Sequence, residues 1–331
     1  MPNLGYVLAG YDIFYGNPLS TGTAGATPDP GFRDGIFNAT YHGKVTPDDM
    51  YSVPEGMEIK ICSGTCAMTF GSTLISGAQK YQSTLGEKAS VGFEGFGASF
   101  SASLDYRNVE TSSKNQSTFF TQSEVSCCAY TASILRYDPP AFTNDFLTGV
   151  NSLPKIYDKS AYLNFIKSFG THYVKEANMG ALYGQQSSIS SESWGKMVEK
   201  GIKIGVSAGY SGKFSVNAES LTESETKKAQ NFRKECKSQK LYSTGKAPPL
   251  DGKPESWMNS VISSPQPLTI KLESLENLDP LKKYLKNISK PEVLTNLKKA
   301  MNEYCEDLKS AGAVSSCKKP GQDPPFPKSK N

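Results

Sequence analysis

An α+β fold follows from the order of segments in this sequence. Strand-like and helix-like stretches alternate irregularly, and charged, helix-prone runs separate the strands into groups. A doubly wound sheet is disfavoured because no Gly-x-Gly-x-x-Gly follows a strand and no Walker loop occurs. The 331 residues, 37% hydrophobic and 21% charged, suffice for one large globular domain or two ordinary ones with a sizeable core.

Residues 1–50 carry the turn signals Asn17-Pro18, Pro28-Asp29-Pro30-Gly31 and Pro47-Asp48, which predict a loop-rich entry with short strands. Residues 57–75, rich in β-branched and apolar side chains, predict strand, and residues 91–135 predict β-structure with polar interruptions. The texture changes at Asp158. Tyr162, Phe165, Ile166 and Phe169 then recur at helical spacing until Gly170 stops the run, so a short amphipathic helix is expected. Residues 173–183 return to a strand pattern, 202–218 alternate strictly, and 219–240 are charged and helix-prone. Two proline pairs, Pro248-Pro249 and Pro265-x-Pro267, mark loops around Trp257. Over residues 291–308, Leu294, Leu297, Ala300, Met301 and Tyr304 share one face of a terminal helix, with Pro291 suited to its first turn. The Pro/Lys-rich tail, 318–331, predicts disorder.

A net charge of +4 is too small to indicate a nucleic-acid partner. The lysines between Lys196 and Lys240 are interleaved with Glu199, Glu219, Glu223, Glu225 and Glu235, the pattern of a solvated face that can also meet anionic headgroups. Seven cysteines accompany only two histidines, His42 and His172, and no second Cys pair matches Cys62-x3-Cys66, so neither a metal nor a cofactor is predicted. Local disulfides Cys62–Cys66 and Cys305–Cys317 are expected instead, with an odd thiol free or paired outside the chain. Sequons at Asn38, Asn115 and Asn287 lean towards secretion, Asn38 and Asn287 being the glycosylation candidates. The opening MPNLGYVLAG has no charged n-region and no long apolar h-region, so no signal peptide is visible. A run of about 18 apolar residues, the mark of a transmembrane helix, is also missing.

Two alternating stretches stand out. Ile202, Ile204, Val206, Ala208, Tyr210, Phe214 and Val216 face one way in a strand, and a Ser/Lys/Gly row faces the other. The stretch exceeds the roughly 9–11 residues that a tilted strand needs to cross a bilayer, and its polar side chains are small enough to line water. A half-buried strand of a soluble sheet gives the same pattern. Residues 96–106 repeat the device, with Phe96, Ala98, Phe100, Ala102, Leu104 and Tyr106 against Gly97, Ser99, Ser101, Ser103 and Asp105. The segments that follow, 118–130 and 221–240, alternate poorly. They fit a hairpin only if the segments are helical in one packing and become strands in another.

The string Tyr162-x-x-Phe165-Ile166-x-x-Phe169-Gly170-Thr171-His172-Tyr173 resembles, position for position, the signature of the membrane-attack-complex/perforin (MACPF) family. Gly10-Tyr11-Asp12-Ile13, Gly16-Asn17-Pro18 and Asp29-Pro30-Gly31-Phe32-Arg33 resemble the opening of apicomplexan and invertebrate perforin-like proteins, and Trp257, Pro265 and Leu272 to Leu278 the family's closing segment. The resemblance implies a MACPF domain over residues 1–285, followed by a bracing helix and Cys loop (286–317). Its core would be a bent four-stranded antiparallel sheet flanked by two helical clusters that refold to β-hairpins. It also implies a secreted pore-forming protein with two partners, a lipid bilayer and further copies of itself in an arc or ring; an adhesion or signalling module that never inserts is the alternative. Gly180, Gly184 and Gly245 become hinge candidates, with Met179-Gly180 and Thr244-Gly245 each supplying one glycine where relatives often show two. Gly170, Thr171 and His172 become hinge and packing residues. The sequence supplies no triad pattern around His172, so an enzyme is not expected.

Overall fold

The computed structural model describes residues 1–19, 29–62, 69–90, 97–200, 222–247, 254–277, 291–320 and 323. Its strands are β1 (Ala9–Tyr11), β2 (Phe32–Gly35), β3 (Met57–Ile61), β4 (Thr69–Ile75), β5 (Thr118–Ile134), β6 (His172–Ser190), β7 (Ser238–Thr244) and β8 (Gln266–Ser274). Its helices are α1 (Ala78–Lys88), α2 (Leu104–Gln116), α3 (Asn144–Ser152), α4 (Lys159–Phe169), α5 (Ser191–Glu199), α6 (Glu223–Glu235), α7 (Pro254–Ser263) and α8 (Pro291–Ser310).

The expected sheet is present, bent and open, with each outer position filled by two strands in tandem. Long β5 and β6 pair antiparallel from Thr118↔Ser190 to Ser133↔Glu176 and form its spine. Beside β5, β4 pairs with residues 120–126 and β3 with 130–134. Beside β6, β7 pairs with residues 182–188 and β8 with 172–180. Both changes of partner fall at one level, Cys127–Ala129 on β5 and Gly180–Ala181 on β6, where a bulge also interrupts the β5–β6 register between Cys128 and Tyr130. A bulge adds a residue to one strand and bends it. Eight strands therefore make a sheet four strands wide, extended by the small β1–β2 pair beside Tyr173.

The signature helix α4 forms as predicted. Asp158 Oδ1 accepts from the N–H groups of Ser160 (2.9 Å) and Ala161 (3.2 Å), and Gly170 ends the helix at φ +82°, which only glycine adopts without strain. Tyr162, Phe165, Ile166 and Phe169 are buried in the main core. Helix α8, also as predicted, packs on α4 through a buried row that includes Val293, Leu297, Ala300 and Met301. Its Tyr304 hydroxyl donates to Asp12 Oδ2 at 2.9 Å, and Arg33 Nη2 donates to the same fully buried oxygen at 2.9 Å. Tyr304→Phe removes one of these bonds to a charged acceptor and is expected to cost about 2 kcal/mol in urea unfolding. An unchanged midpoint would show that Arg33, with the Phe14 N–H on Oδ1, satisfies the carboxylate without Tyr304.

Several expectations are corrected. Residues 57–75 form two strands, not one, because the outer position changes strand at the bend. Within 91–135, residues 104–116 are helical and only 118–134 are strand. Residues 97–103 form turns, so the alternation of Ala98, Phe100, Ala102 and Tyr106 does not describe a strand here. Those four side chains are buried against the main core, whereas Leu104 is 65% exposed, and the Ser103 hydroxyl caps α2 by accepting from Tyr106 N–H. The expected Cys62–Cys66 pair is replaced by Cys62–Cys128. Cys62 follows β3 directly and its N–H donates to Ala129 O, so the β3–β5 register, not proximity in sequence, selects its partner. Cys127 is disulfide-bonded as well, Cys305–Cys317 forms as expected, and Cys236 is a free thiol. In the tail, expected to be disordered, Lys318–Pro320 and Asp323 lie against the body, held by backbone contact and hydrogen bonds. Phe96, the row Ile202 to Val216, Cys66 and Asn287 lie outside the described residues.

Candidate membrane-inserting clusters and their hinge

At one end of the sheet four strands stop together: β4 at Ile75, β5 at Thr118, β6 at Ser190 and β7 at Ser238. Residues 76–117, carrying α1 and α2, join β4 to β5, and residues 191–237, carrying α5 and α6, join β6 to β7. Each helical insertion therefore links two outer-and-inner neighbours that are already antiparallel. Each has roughly twenty residues per arm, about twice the 9–11 that a tilted transmembrane strand uses. All the described inserting candidates, Ala98, Phe100, Ala102, Leu104 and Tyr106, fall in the first insertion.

The two insertions are held differently. The first is built into the main core through Tyr81, Leu85, Phe100 and Tyr106. Its turns 97–103 are also tied to the chain's opening: Phe100 N–H donates to Ile13 O (2.6 Å), Ala102 N–H to Phe14 O (3.0 Å), and Asn17 Nδ2 to Asp105 Oδ2 (2.8 Å). Buried Gln82 Nε2 donates to Gly97 O (3.0 Å) and Ser99 O (2.9 Å), and Lys88 pairs with Glu124 of β5. The second rests on a small separate cluster, Leu74, Phe119, Ile189, Trp194, Met197 and Phe232, with Trp194 edge-on to Phe232 at 6.1 Å. The sequence pattern singles out none of these six. Trp194 and Met197, three apart and just beyond the Ser190 cap, were the available signal. Trp194→Ala is expected to cost about 3 kcal/mol locally and to open α5 and α6 before the sheet. Hydrogen exchange that accelerates in the sheet equally would refute that order.

Gly180 and Gly245 sit at the bend, and Gly184 lies three residues beyond it on β6. A Cβ on Gly180 would lie 2.0 Å from Cys127 O, and one on Gly184 2.4 Å from the Tyr242 ring, which lies buried across β6. Gly245 has φ +75° and would place a Cβ 3.1 Å from Gly180 O. Cys127 Sγ also lies 3.8 Å from Met258 Sδ of α7, so a helix backs the bend on this side.

The signature residues join the sheet to both chain ends. Gly170 bridges Tyr11 in parallel, Thr171 N–H donates to Tyr11 O (2.9 Å), and the Thr171 hydroxyl accepts from Ile13 N–H (3.1 Å). Tyr173 pairs with Gly10 and with Glu273, and Tyr162 OH donates to Pro154 O (2.7 Å) while accepting from Asn296 of α8 (3.3 Å). His172 Nδ1 lies 2.8 Å from Thr171 Oγ1 in a buried setting that pushes its pKa down to about 3. A neutral, enclosed imidazole suits packing. Among the described residues no helix is long and apolar enough to cross a membrane, which leaves a β-barrel open.

The chain matches the MAC/Perforin domain over residues 1–311, through the whole of α8, and it belongs to the MACPF family. It is similar in fold to GNIP1Aa from Chromobacterium piscinae, with a TM-score of 0.59 and 17% identity over 92% of this chain and 56% of that one. This chain thus spans little more than half of GNIP1Aa. A second similar structure is Astrotactin-2, a vertebrate-specific, perforin-like membrane protein (TM-score 0.45, 14% identity, 92% of this chain and 99% of that one).

Proposed function

We propose that this chain is a secreted, perforin-like pore former that assembles with copies of itself in an arc or ring on a lipid bilayer. Residues 76–117 and 191–237 would straighten into β-hairpins that close a large barrel. One observation carries this: both helical insertions interrupt strand pairs that are already antiparallel and in register at the same end of an open four-stranded sheet. Straightening would continue four existing strands without new topology. Ala98, Phe100, Ala102, Leu104 and Tyr106, with Phe96 and Ile202, Ile204, Val206, Ala208, Tyr210, Phe214 and Val216, would face lipid, and Gly180, Gly184 and Gly245 would be the hinge. Residues 1–285 would be the inserting domain and 286–317 its brace. Exposed Asn38, whose amide also donates to Phe142 O, is the described glycan candidate beside Asn287. The test is release of a trapped dye from anionic and neutral liposomes, with arcs or rings sought by electron microscopy. Dye release together with rings supports insertion; rings on intact liposomes at every pH and lipid composition would favour a non-lytic adhesion module.

A further inference from the structure

Helix α1 begins at Gly77 without a side-chain cap of its own. The cap comes from the far end of the chain. Asp323 Oδ1 accepts from Gln79 N–H and Oδ2 from Lys80 N–H, both at 2.9 Å, and Ser76 Oγ donates to Oδ2 at 3.1 Å. The same terminal segment meets the rest of the first insertion. A Cβ on Gly97 would lie 2.7 Å from Lys319 N, and Ser315 Oγ donates to Glu110 Oε1 of α2 at 3.0 Å. Its start is fixed to α8 by the Cys305–Cys317 disulfide, and α8 is fixed to the body by its buried face.

We propose that Ser315, Lys319 and Asp323 form an autoinhibitory strap that holds the first insertion in its helical state and sets the threshold for its release. The place of the cap gives it leverage. Strand β4 ends at Ile75, so extending it requires the link Ser76–Gly77 to straighten and Ala78 to Lys80 to leave the helix first, and Asp323 accepts from Ser76, Gln79 and Lys80 in that stretch. The strap opposes helix-to-strand conversion at the step where it begins. The first step of release is the loss of the Asp323 contact, and the disulfide keeps the segment attached to α8 when that contact is broken.

The inference rests on the pore-forming proposal, and two measurements separate their failures. In Asp323→Ala, loss of a cap is expected to speed hydrogen exchange at the Gln79 and Lys80 amides about five-fold. Unchanged exchange overturns the strap whatever the protein does to membranes. Gly77→Cys with Asp323→Cys, in a Cys236→Ser background, supplies the lock. The Cβ positions are 3.4 Å apart, near the roughly 3.5–4.5 Å of a disulfide. The oxidised variant is expected to release dye from phosphatidylcholine/phosphatidylserine vesicles at least ten-fold more slowly than the same protein reduced, with wild type under the same reductant as control. An oxidised variant that leaks at the wild-type rate overturns the strap. A wild-type protein that leaks from no vesicle sinks the pore reading instead, and exchange at Gln79 and Lys80 still decides the strap.

Discussion

Gly180→Val is expected to lower stability by about 4 kcal/mol in urea unfolding, a loss few single substitutions reach. The cause is backbone against backbone. A Cβ at this position would stand 2.0 Å from the Cys127 carbonyl oxygen and 2.8 Å from Leu268 Cδ1. Cys127 cannot retreat easily, because it sits in the central strand beside the bulge, is disulfide-bonded, and is backed by Met258. Relief must come from separating β5 from β6 at the bend, the one level at which both outer positions change strand. Gly5→Ala is the control. Nothing lies within 4 Å of a Cβ there, and the change is expected to stay within about 0.5 kcal/mol. If Gly180→Val unfolds at the wild-type midpoint, the close approach at the bend is not real. Under the pore-forming proposal the same variant would slow dye release from liposomes, because a β5–β6 pair wedged apart at its bend would not straighten in register.

What could be read from the sequence depended on whether the signal was local. Helix α4 was legible because its cap at Asp158, its apolar face and its stop at Gly170 all lie within thirteen consecutive residues. Helix α8 was legible for the same reason. Strand β5 was legible as β-structure within 91–135 but its start was not, because at that end the strand is covered on both faces and loses the alternation that marks a half-buried one: Thr121, Gln122 and Ser123 are all buried. Residues 98–106 alternate without forming a strand, since in this packing Ala98, Phe100 and Ala102 fill the core as turns; Ser103 followed by Asp105 is the local sign of a helix start. Partners set by register stayed hidden. Cys128 is 66 residues from Cys62, and only the alignment of β3 on β5 brings them together. The glycine candidates came from the family resemblance, and the need for them became visible only in what they touch, the Cys127 carbonyl and the Tyr242 ring.

Acidification is expected to destabilise the fold through His172, with the loss beginning near pH 6.5 and continuing towards pH 3. Burial holds the folded imidazole neutral down to about pH 3, against an ordinary value of 6.5. Above pH 6.5 the side chain is neutral in both states and pH has no effect through it. Below 6.5 the unfolded chain binds a proton that the folded one refuses, so stability falls by about 1.4 kcal/mol per pH unit, on the order of 4–5 kcal/mol over the whole window. Asp29 acts in the opposite sense. Burial raises its carboxyl above the usual range, although the N–H groups of Asn17 and Gly31 and the Tyr11 hydroxyl hold the charged form, so its contribution to stability grows as pH falls through the carboxylate range. The difference between wild type and His172→Gln therefore isolates the histidine: unfolding free energies measured from pH 7 to 4 should converge as the pH drops. Parallel curves would mean that His172 takes up its proton in the folded state as readily as in the unfolded one. The position gives the effect a direction within the molecule. His172 begins β6 where it meets Ser274 of β8, beside the Thr171 and Gly170 contacts to Tyr11, so a proton forced onto it loosens the end of the sheet opposite the helical insertions. Exchange at low pH should rise first at the Thr171 amide, which donates to Tyr11 O, and later at Ser190.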